Sequence, residues 1–474
     1  MPTHKFFLSV SAGFKWVLAA TVVTVFVVAT GCGGGTSMNP TASAASTVTQ
    51  FRIGDAPADR VITFEASVGP ITMTSSSGMS FTALAGTQRV ELAHLSGMSE
   101  PLVLLNVPQG SYTSMSITLS NPEVTFTNNA GAIVKLEPAL NQAVTINLSP
   151  ALTIGNGATV VSIDLNLANL LMFDSQGNVT GISPSPSAFT ISTSAVAAQN
   201  NEDQEEDENG KLEDIMGMVT NVSGTSFSMT VGQSGASLTF ATDSNTEFKD
   251  GASLSTLMNT IVKVEGMTNP DGTLRAKEVE GIENQDGAEL EGLVTQVTGN
   301  PATQLMVVAQ DGNGHGMDNQ QMGSTQTVNV AGAQYKVDQG NIDTSGIGAL
   351  PSSPNFPFDA TTIHAGQAVE TESGEAMNSS MMAEKVKLRQ QALTGTVSGL
   401  SAATSAGPTT FTLAVAPDSA FAMLSGQTTV TVFWQPGTKL HKLTSINNGN
   451  TVRVRGLVFF TGSSFNMIAR RIDP

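Results

Sequence analysis

Three stretches of the chain open alike. Gly217-Met-Val-Thr-Asn-Val222, Gly292-Leu-Val-Thr-Gln-Val297 and Gly395-Thr-Val-Ser-Gly-Leu400 each start on glycine and continue with alternating apolar residues. A period of two marks a strand buried on one face. Each opening is followed by a second strand and then by a third marked by threonine or tyrosine: Thr246-Glu-Phe248, Tyr335-Lys-Val337 or Thr438-Lys-Leu440. A later strand comes next, Ile261-Val-Lys-Val-Glu-Gly266, Ala368-Val-Glu-Thr371 or Thr451-Val-Arg-Val-Arg-Gly456, and then a closing one near Val279, Val386 or Ile472. Self-similarity at roughly 70 to 100 residues predicts three small modules. Their bounds are 213–283, 288–390 and 391–474, and the middle copy is swollen by two loops, Asp311 to Ser324 and Asp338 to Ala360.

Five short strands per copy predict a small, partly open β-barrel of the oligonucleotide/oligosaccharide-binding (OB) type. The copies resemble an uncharacterised repeat domain of bacterial exported proteins, marked by a G-x-V start, a V-x-V-x-G late strand and a D-G-T-x-x-A turn. Asp271-Gly-Thr-Leu-Arg-Ala276 carries that turn, and the other two copies lack it. The resemblance implies no ligand.

Ahead of the repeats, residues 51–195 alternate in short runs bounded by Gly, Pro and Asn. In Tyr112-Thr-Ser-Met-Ser-Ile-Thr-Leu119, Met115, Ile117 and Leu119 share one face, while Ser114, Ser116 and Thr118 share the other. With Val161-Ser-Ile-Asp-Leu-Asn-Leu167 and further runs at Val61 to Ser67, Leu102 to Val107, Glu123 to Thr127 and Val144 to Leu148, the expectation is an antiparallel β-sandwich. Asp55-Ala-Pro57 with Asp59, and Pro108-Gln-Gly-Ser-Tyr-Thr113, resemble an uncharacterised domain of bacterial exported lipoproteins. That resemblance implies a prealbumin-like or immunoglobulin-like fold and transfers no catalytic residue. Segment 196–212, whose Asn200 to Gly210 run holds six carboxylates and no apolar side chain, reads as a solvated linker.

The single cysteine, Cys32, follows an apolar run from Trp16 to Ala29 and precedes a glycine triplet. Lys5 and Lys15 before a run too short to cross a bilayer indicate a secretory signal over 1–31. Ala29-Thr-Gly-Cys32 resembles the lipobox of bacterial lipoproteins, which implies cleavage before Cys32, acylation of its thiol and amine, and a flexible tether over 32–50. Because Gly33 and not aspartate follows, the same resemblance implies a protein held by its lipid in the outer membrane of the bacterial cell envelope. Loss of Lys5 and Lys15 takes the net charge from −18 to −20. A surface that acidic, with aromatics at 5%, excludes a general nucleic-acid binder.

Candidate chemistry is sparse. Asp311-Gly-Asn-Gly-His-Gly-Met-Asp-Asn-Gln-Gln-Met322 partly fits a calcium-loop spacing, with Asp311, Asn313 and Asp318 as oxygen donors, but Met322 stands where a bidentate glutamate is needed. A solvated insertion is the competing reading. Trp434, on the apolar run Thr431-Val-Phe-Trp, is a candidate platform for stacking a sugar, with core packing as the alternative. His94, His315, His364 and His441 are scattered, and no nucleophile-base spacing, Walker loop or zinc motif occurs. The sequence therefore predicts a lipid-anchored envelope protein of structural or binding type, with an envelope protein or a glycan as partner and neither catalysis nor a cofactor. Calcium binding is the alternative.

Overall fold

The computed structural model describes residues 45–474 apart from 57–58, 94–98, 177, 197–210, 232–235, 250, 283–287, 312–321, 341, 352, 374–379 and 402–408. Cys32, Asn313, Asp318 and the six carboxylates of the linker lie outside the described residues.

Among the described residues the N-terminal alternation produces twelve strands: β1 (Ser46–Ala56), β2 (Val61–Ser75), β3 (Ser80–Leu84), β4 (Gln88–Glu91), β5 (Ser99–Pro108), β6 (Gly110–Thr127), β7 (Ile133–Leu136), β8 (Asn141–Ile154), β9 (Thr159–Asn166), β10 (Leu171–Phe173), β11 (Val179–Ile182) and β12 (Phe189–Ala195). One sheet runs β12-β9-β1-β5, and another runs β3-β2-β6-β7 with β4 on β2 and β8 on β6. Phe51 and Ile53 of β1, Val161 and Ile163 of β9, Phe64 of β2, and Met115 and Ile117 of β6 join one hydrophobic cluster, so both sheets feed the same core. The P-x-G-x-Y-T motif has a local cause. The Tyr112 hydroxyl donates to the Pro108 carbonyl at 2.7 Å and lashes the β5–β6 turn, where Gly110 takes φ +154°.

Two expectations need correction. The tether expected to reach residue 50 ends earlier, because β1 starts at Ser46 and pairs with β5 on one side and β9 on the other. Thr49 and Gln50 are buried, so a polar run without apolar rhythm is here a central strand, held by backbone bonds on both edges. Nor is the four-stranded sheet wholly antiparallel. β1 and β9 run parallel, which the long excursion through the second sheet between them permits.

The repeats follow. The first has β13 (Lys211–Ser223), β14 (Ser226–Val231), β15 (Ala236–Ala241), β16 (Glu247–Lys249), β17 (Ile261–Thr268) and β18 (Leu274–Ile282). The second has β19 (Ala288–Thr298), β20 (Gln304–Asp311), β21 (Thr325–Asn329), β22 (Gln334–Val337), β23 (Ala368–Ser373), β24 (Met381–Met382) and β25 (Lys385–Leu388). The third has β26 (Gln390–Ser398), β27 (Thr409–Val415), β28 (Thr429–Leu440), β29 (Thr451–Phe460) and β30 (Phe465–Asp473). The third closes as β26-β27-β28-β30-β29, with β28 parallel to β30 and every other pairing antiparallel. The first closes the same way through the parallel β15–β18 pairing. In the second, β24 and β25 are two pieces of the last strand, parallel to β21 and β22 respectively. All three copies thus share the OB-like order.

The recurrent glycine is a close-approach position. A Cβ on Gly217 would lie 2.5 Å from the Thr230 carbonyl oxygen, and one on Gly395 would lie 2.6 Å from that of Ala414. At Gly292 the Val308 carbonyl is closer still, and Gly266 and Gly456 meet Arg275 and Ile468 in the same way across the last two strands. The motif glycines mark where neighbouring strands pinch the barrel.

Residues Ala44–Pro474 form one compact unit, and buried contacts between modules explain why. The swollen loop of the second copy packs Phe356 against Phe433 and Phe459 of the third, with ring centroids 4.8 and 5.3 Å apart. The fully buried Gln367 donates to the Val458 carbonyl at 2.8 Å, and Asn466 donates to that of Asn355 at 2.9 Å. The N-terminal module meets the second copy where Thr125 donates to the Gly323 carbonyl at 2.9 Å and Gln310 donates to that of Ile62 at 2.9 Å. It meets the third through the Ala420 amide on the Asp59 carbonyl at 2.7 Å and the Arg60–Asp418 pair at 3.0 Å.

Candidate functional site

On each barrel the register of the last strands sets charged residues side by side. In the second copy, register places Glu289 opposite Glu372, Glu291 opposite Glu370, Glu372 opposite Lys385 and Glu370 opposite Lys387. Lys385 lies 2.5 Å from Glu372, Lys387 pairs with both Glu370 and Glu372, and Arg389 reaches Glu291 at 3.4 Å and Glu370 at 3.3 Å. Burial alone would raise the Glu372 carboxyl, but hydrogen bonds from Lys385 and Lys387 overcome it and hold the group at about 2. Glu289 goes the other way, pushed up to about 7 first by burial and then by the Glu370 charge.

These opposite shifts predict a pH profile. A depressed carboxyl contributes stability above its ordinary value near 4.5 that is lost as pH falls from there towards 2, so Glu372→Gln should lower the melting temperature at pH 7 and change little at pH 2. A raised carboxyl is penalised once ionised, so Glu289→Gln should stabilise at pH 8 and not at pH 4. Because the outer edge of Glu289 meets solvent, that gain should stay under about 1 kcal/mol. Thermal melts of both variants at the four pH values check this.

In the third copy the equivalent register positions are cationic, with Arg471 among them buried. Lys439 stands opposite Arg471, Arg471 opposite Arg455, and Arg453 opposite Asp473. Asp473 Oδ1 lies 2.6 Å from His441 Nδ1 and 2.7 Å from Arg471 Nη2. That Nη2 is also 2.5 Å from His441 Nδ1, which can donate to the carboxylate or accept from the guanidinium, but not both. The cluster ties the end of β28 to the last strand and gathers His441 and the buried Arg471 around one acid. Sequence reading missed this face because it treated charge as a single sum. Counted by module, 391–474 carries six Lys and Arg against two Asp, while 213–283 carries four Lys and Arg against ten Asp and Glu.

The residues singled out from sequence do not converge. Trp434 is half-buried and packs against the interior cluster of the third barrel, in register with Thr409 and Ala469. Asp311 ends β20, and its side chain, like Asn313 and Asp318, lies outside what is described. Among the described residues no group of three or more His, Cys, Asp or Glu is placed to hold a metal ion. His364 sits in an aromatic cluster, 4.2 Å from Phe460 and 5.4 Å from Phe465 between ring centroids, far in sequence from His441.

The fold defines an all-β chain of OB-like barrels behind a two-sheet module. Residues 216–280, the body of the first barrel, match the family model described as Domain of unknown function (DUF5666). No curated protein matches the chain. Among solved structures it is similar to one described as drosophila Unr CSD456, at 11% identity over 54% of this chain and 94% of that one, with a TM-score of 0.12.

Proposed function

We propose that this is an exported, lipid-anchored protein of the bacterial cell envelope, held through Cys32 in the outer membrane, whose work is binding or scaffolding towards envelope protein or glycan. The observation that carries the reading is the fusion of four modules by buried contacts such as Phe356 on Phe433, Gln367 on Val458, Thr125 on Gly323 and, for the first barrel, Thr268 on Gln50 of the N-terminal module. A chain built for display at a fixed geometry needs such joints, whereas modules on loose linkers would sample many arrangements. The N-terminal module fits a β-sandwich of prealbumin or immunoglobulin type, since its two sheets share one core. Gly33 after the cysteine and the Gly-rich stretch beyond it support the anchor.

Cys32→Ser should move the protein from the membrane fraction to the soluble fraction and abolish labelling by a palmitate analogue. Retention of both membrane association and label in the variant defeats the anchor. Cross-linking the anchored protein in intact cells should capture envelope protein or glycan; recovery of the bare chain alone would defeat the binding role.

A further inference from the structure

A sheet that does not close leaves a row of unpaired backbone groups at each edge, and native proteins cover such edges, keep them short, charge them or break them with proline. Among the described residues, the two main sheets of the N-terminal module do this at every edge but one. The β5 edge lies under the first barrel, whose core cluster takes in Leu104. In the second sheet one edge is divided between β3 and β4, the latter carrying Arg89 and Glu91. The other is divided between β7, four residues long with Lys135, and β8, interrupted by Pro150.

β12 has none of these guards. It ends its sheet, with β9 on one side and, among the described residues, no strand paired on the other. Its register with β9 runs without a bulge from Phe189 opposite Leu165 to Ala195 opposite Thr159. The strand carries no charge, proline or glycine. Phe189 and Ile191 turn into the shared core, whereas Thr190, Ser192, Thr193, Ser194 and Ala195 are exposed. β8 packs beside it from the second sheet and is also uncharged. Both strands fall in stretches, Pro138 to Ile163 and Ser175 to Asn201, that hold no Asp, Glu, Lys, Arg or His. One side of the module in an acidic chain is thus built on strands without formal charge.

We propose that β12 is a dimerisation edge, at which two copies of this chain pair antiparallel about a two-fold axis through Ser192. A net charge of −18 on each copy opposes self-association, and the opposition is least where neither surface carries charge. The strand is also its own complement. About Ser192, Thr190 meets Ser194, Ile191 meets Thr193 and Phe189 meets Ala195, so hydroxyls face hydroxyls on the outer row and larger apolar groups face smaller residues on the inner. The antiparallel sense sets the two Ala195 ends roughly 20 Å apart, so the sequences leading to the acidic run at Glu202 set out from opposite ends of the ladder. A charged segment of another protein would find no counter-charge on this strand. Pairing joins two four-stranded sheets into one, and because both partners use the same surface it closes at the dimer.

Sedimentation velocity of the full chain in detergent tests this. The weight-average mass should rise with concentration and stop at twice that of the monomer. Salt should not dissolve the pair, because no ion pair holds it and screening eases the repulsion between the acidic bodies. Ser192 is exposed, so Ser192→Lys and, separately, Ser192→Glu should melt at the native temperature. Each should weaken dimerisation by about tenfold or more, since like charges then lie side by side at the axis. Mixing the two variants at low salt should restore the dimer, because lysine then meets glutamate, and that recovery separates loss of contact from misfolding. A chain monomeric at every concentration, growth past the dimer, dimers indifferent to either charge, or no recovery in the mixture would each overturn the proposal. So would a monomer whose Ser192→Cys variant cross-links to an envelope protein, which assigns the edge to a foreign strand.

Discussion

Gly456→Ala should cost the third barrel about 3 kcal/mol or more, the upper range for forcing an extra carbon into packed structure. Gly456 is buried on β29, where register shifts against β30, and an added Cβ would press into the Ile468 carbonyl oxygen. That obstacle is backbone, so no side chain can swing aside, and relief requires separating β29 from β30. These strands contribute Val454, Val458, Met467 and Ala469 to the barrel interior, and their separation opens that core. The change should show as a lower melting temperature and as faster amide exchange confined first to 451–473. Gly155→Ala is the control: nothing lies within 4 Å of its added Cβ, and stability should hold within about 0.5 kcal/mol. Equal effects at the two positions would mean that glycine matters for chain flexibility and not for strand approach.

That prediction shows why the repeats were legible. A glycine demanded by a neighbouring carbonyl cannot drift, so it survives as punctuation in front of each barrel, and the alternation after it reports which face is buried. Tyr112 is a similar case, since its bond to Pro108 fixes a spacing. What stayed hidden lacks such local signatures. β1 reads as tether because Ser46 to Gln50 is polar, and its place between two partners depends on residues about 50 and 110 positions away. The cationic face was hidden by summation, because a net charge of −18 conceals an excess of bases over 391–474. The long loop of the second copy, 338–360, carries no strand period that would place it, yet its few apolar residues are the joint between barrels.

Phe356 is where that joint can be broken. It is 1% exposed, and it packs edge-on to Phe433 and Phe459 while the backbone around it is pinned by Asn466 on the Asn355 carbonyl. Phe356→Ala should cost about 3–5 kcal/mol, the range for emptying a buried aromatic site. The distribution of the loss is more telling than its size. Leu457, Phe459 and Ile468, on the outside of the third barrel, join the second barrel's cluster, so their cover is removed while the third barrel's own interior keeps every member. Calorimetry should therefore resolve a separate transition for 391–474 that the native chain does not show. Phe358→Ala makes the comparison. Phe358 is equally buried but stacks edge-on to Tyr335 of the second barrel at 5.6 Å, so its loss should weaken that barrel without releasing its neighbour. If Phe356→Ala merely lowers one shared transition, as Phe358→Ala should, the two barrels are coupled through Gln367 and Asp343, whose bonds to Val458 and Gly437 would then carry the joint.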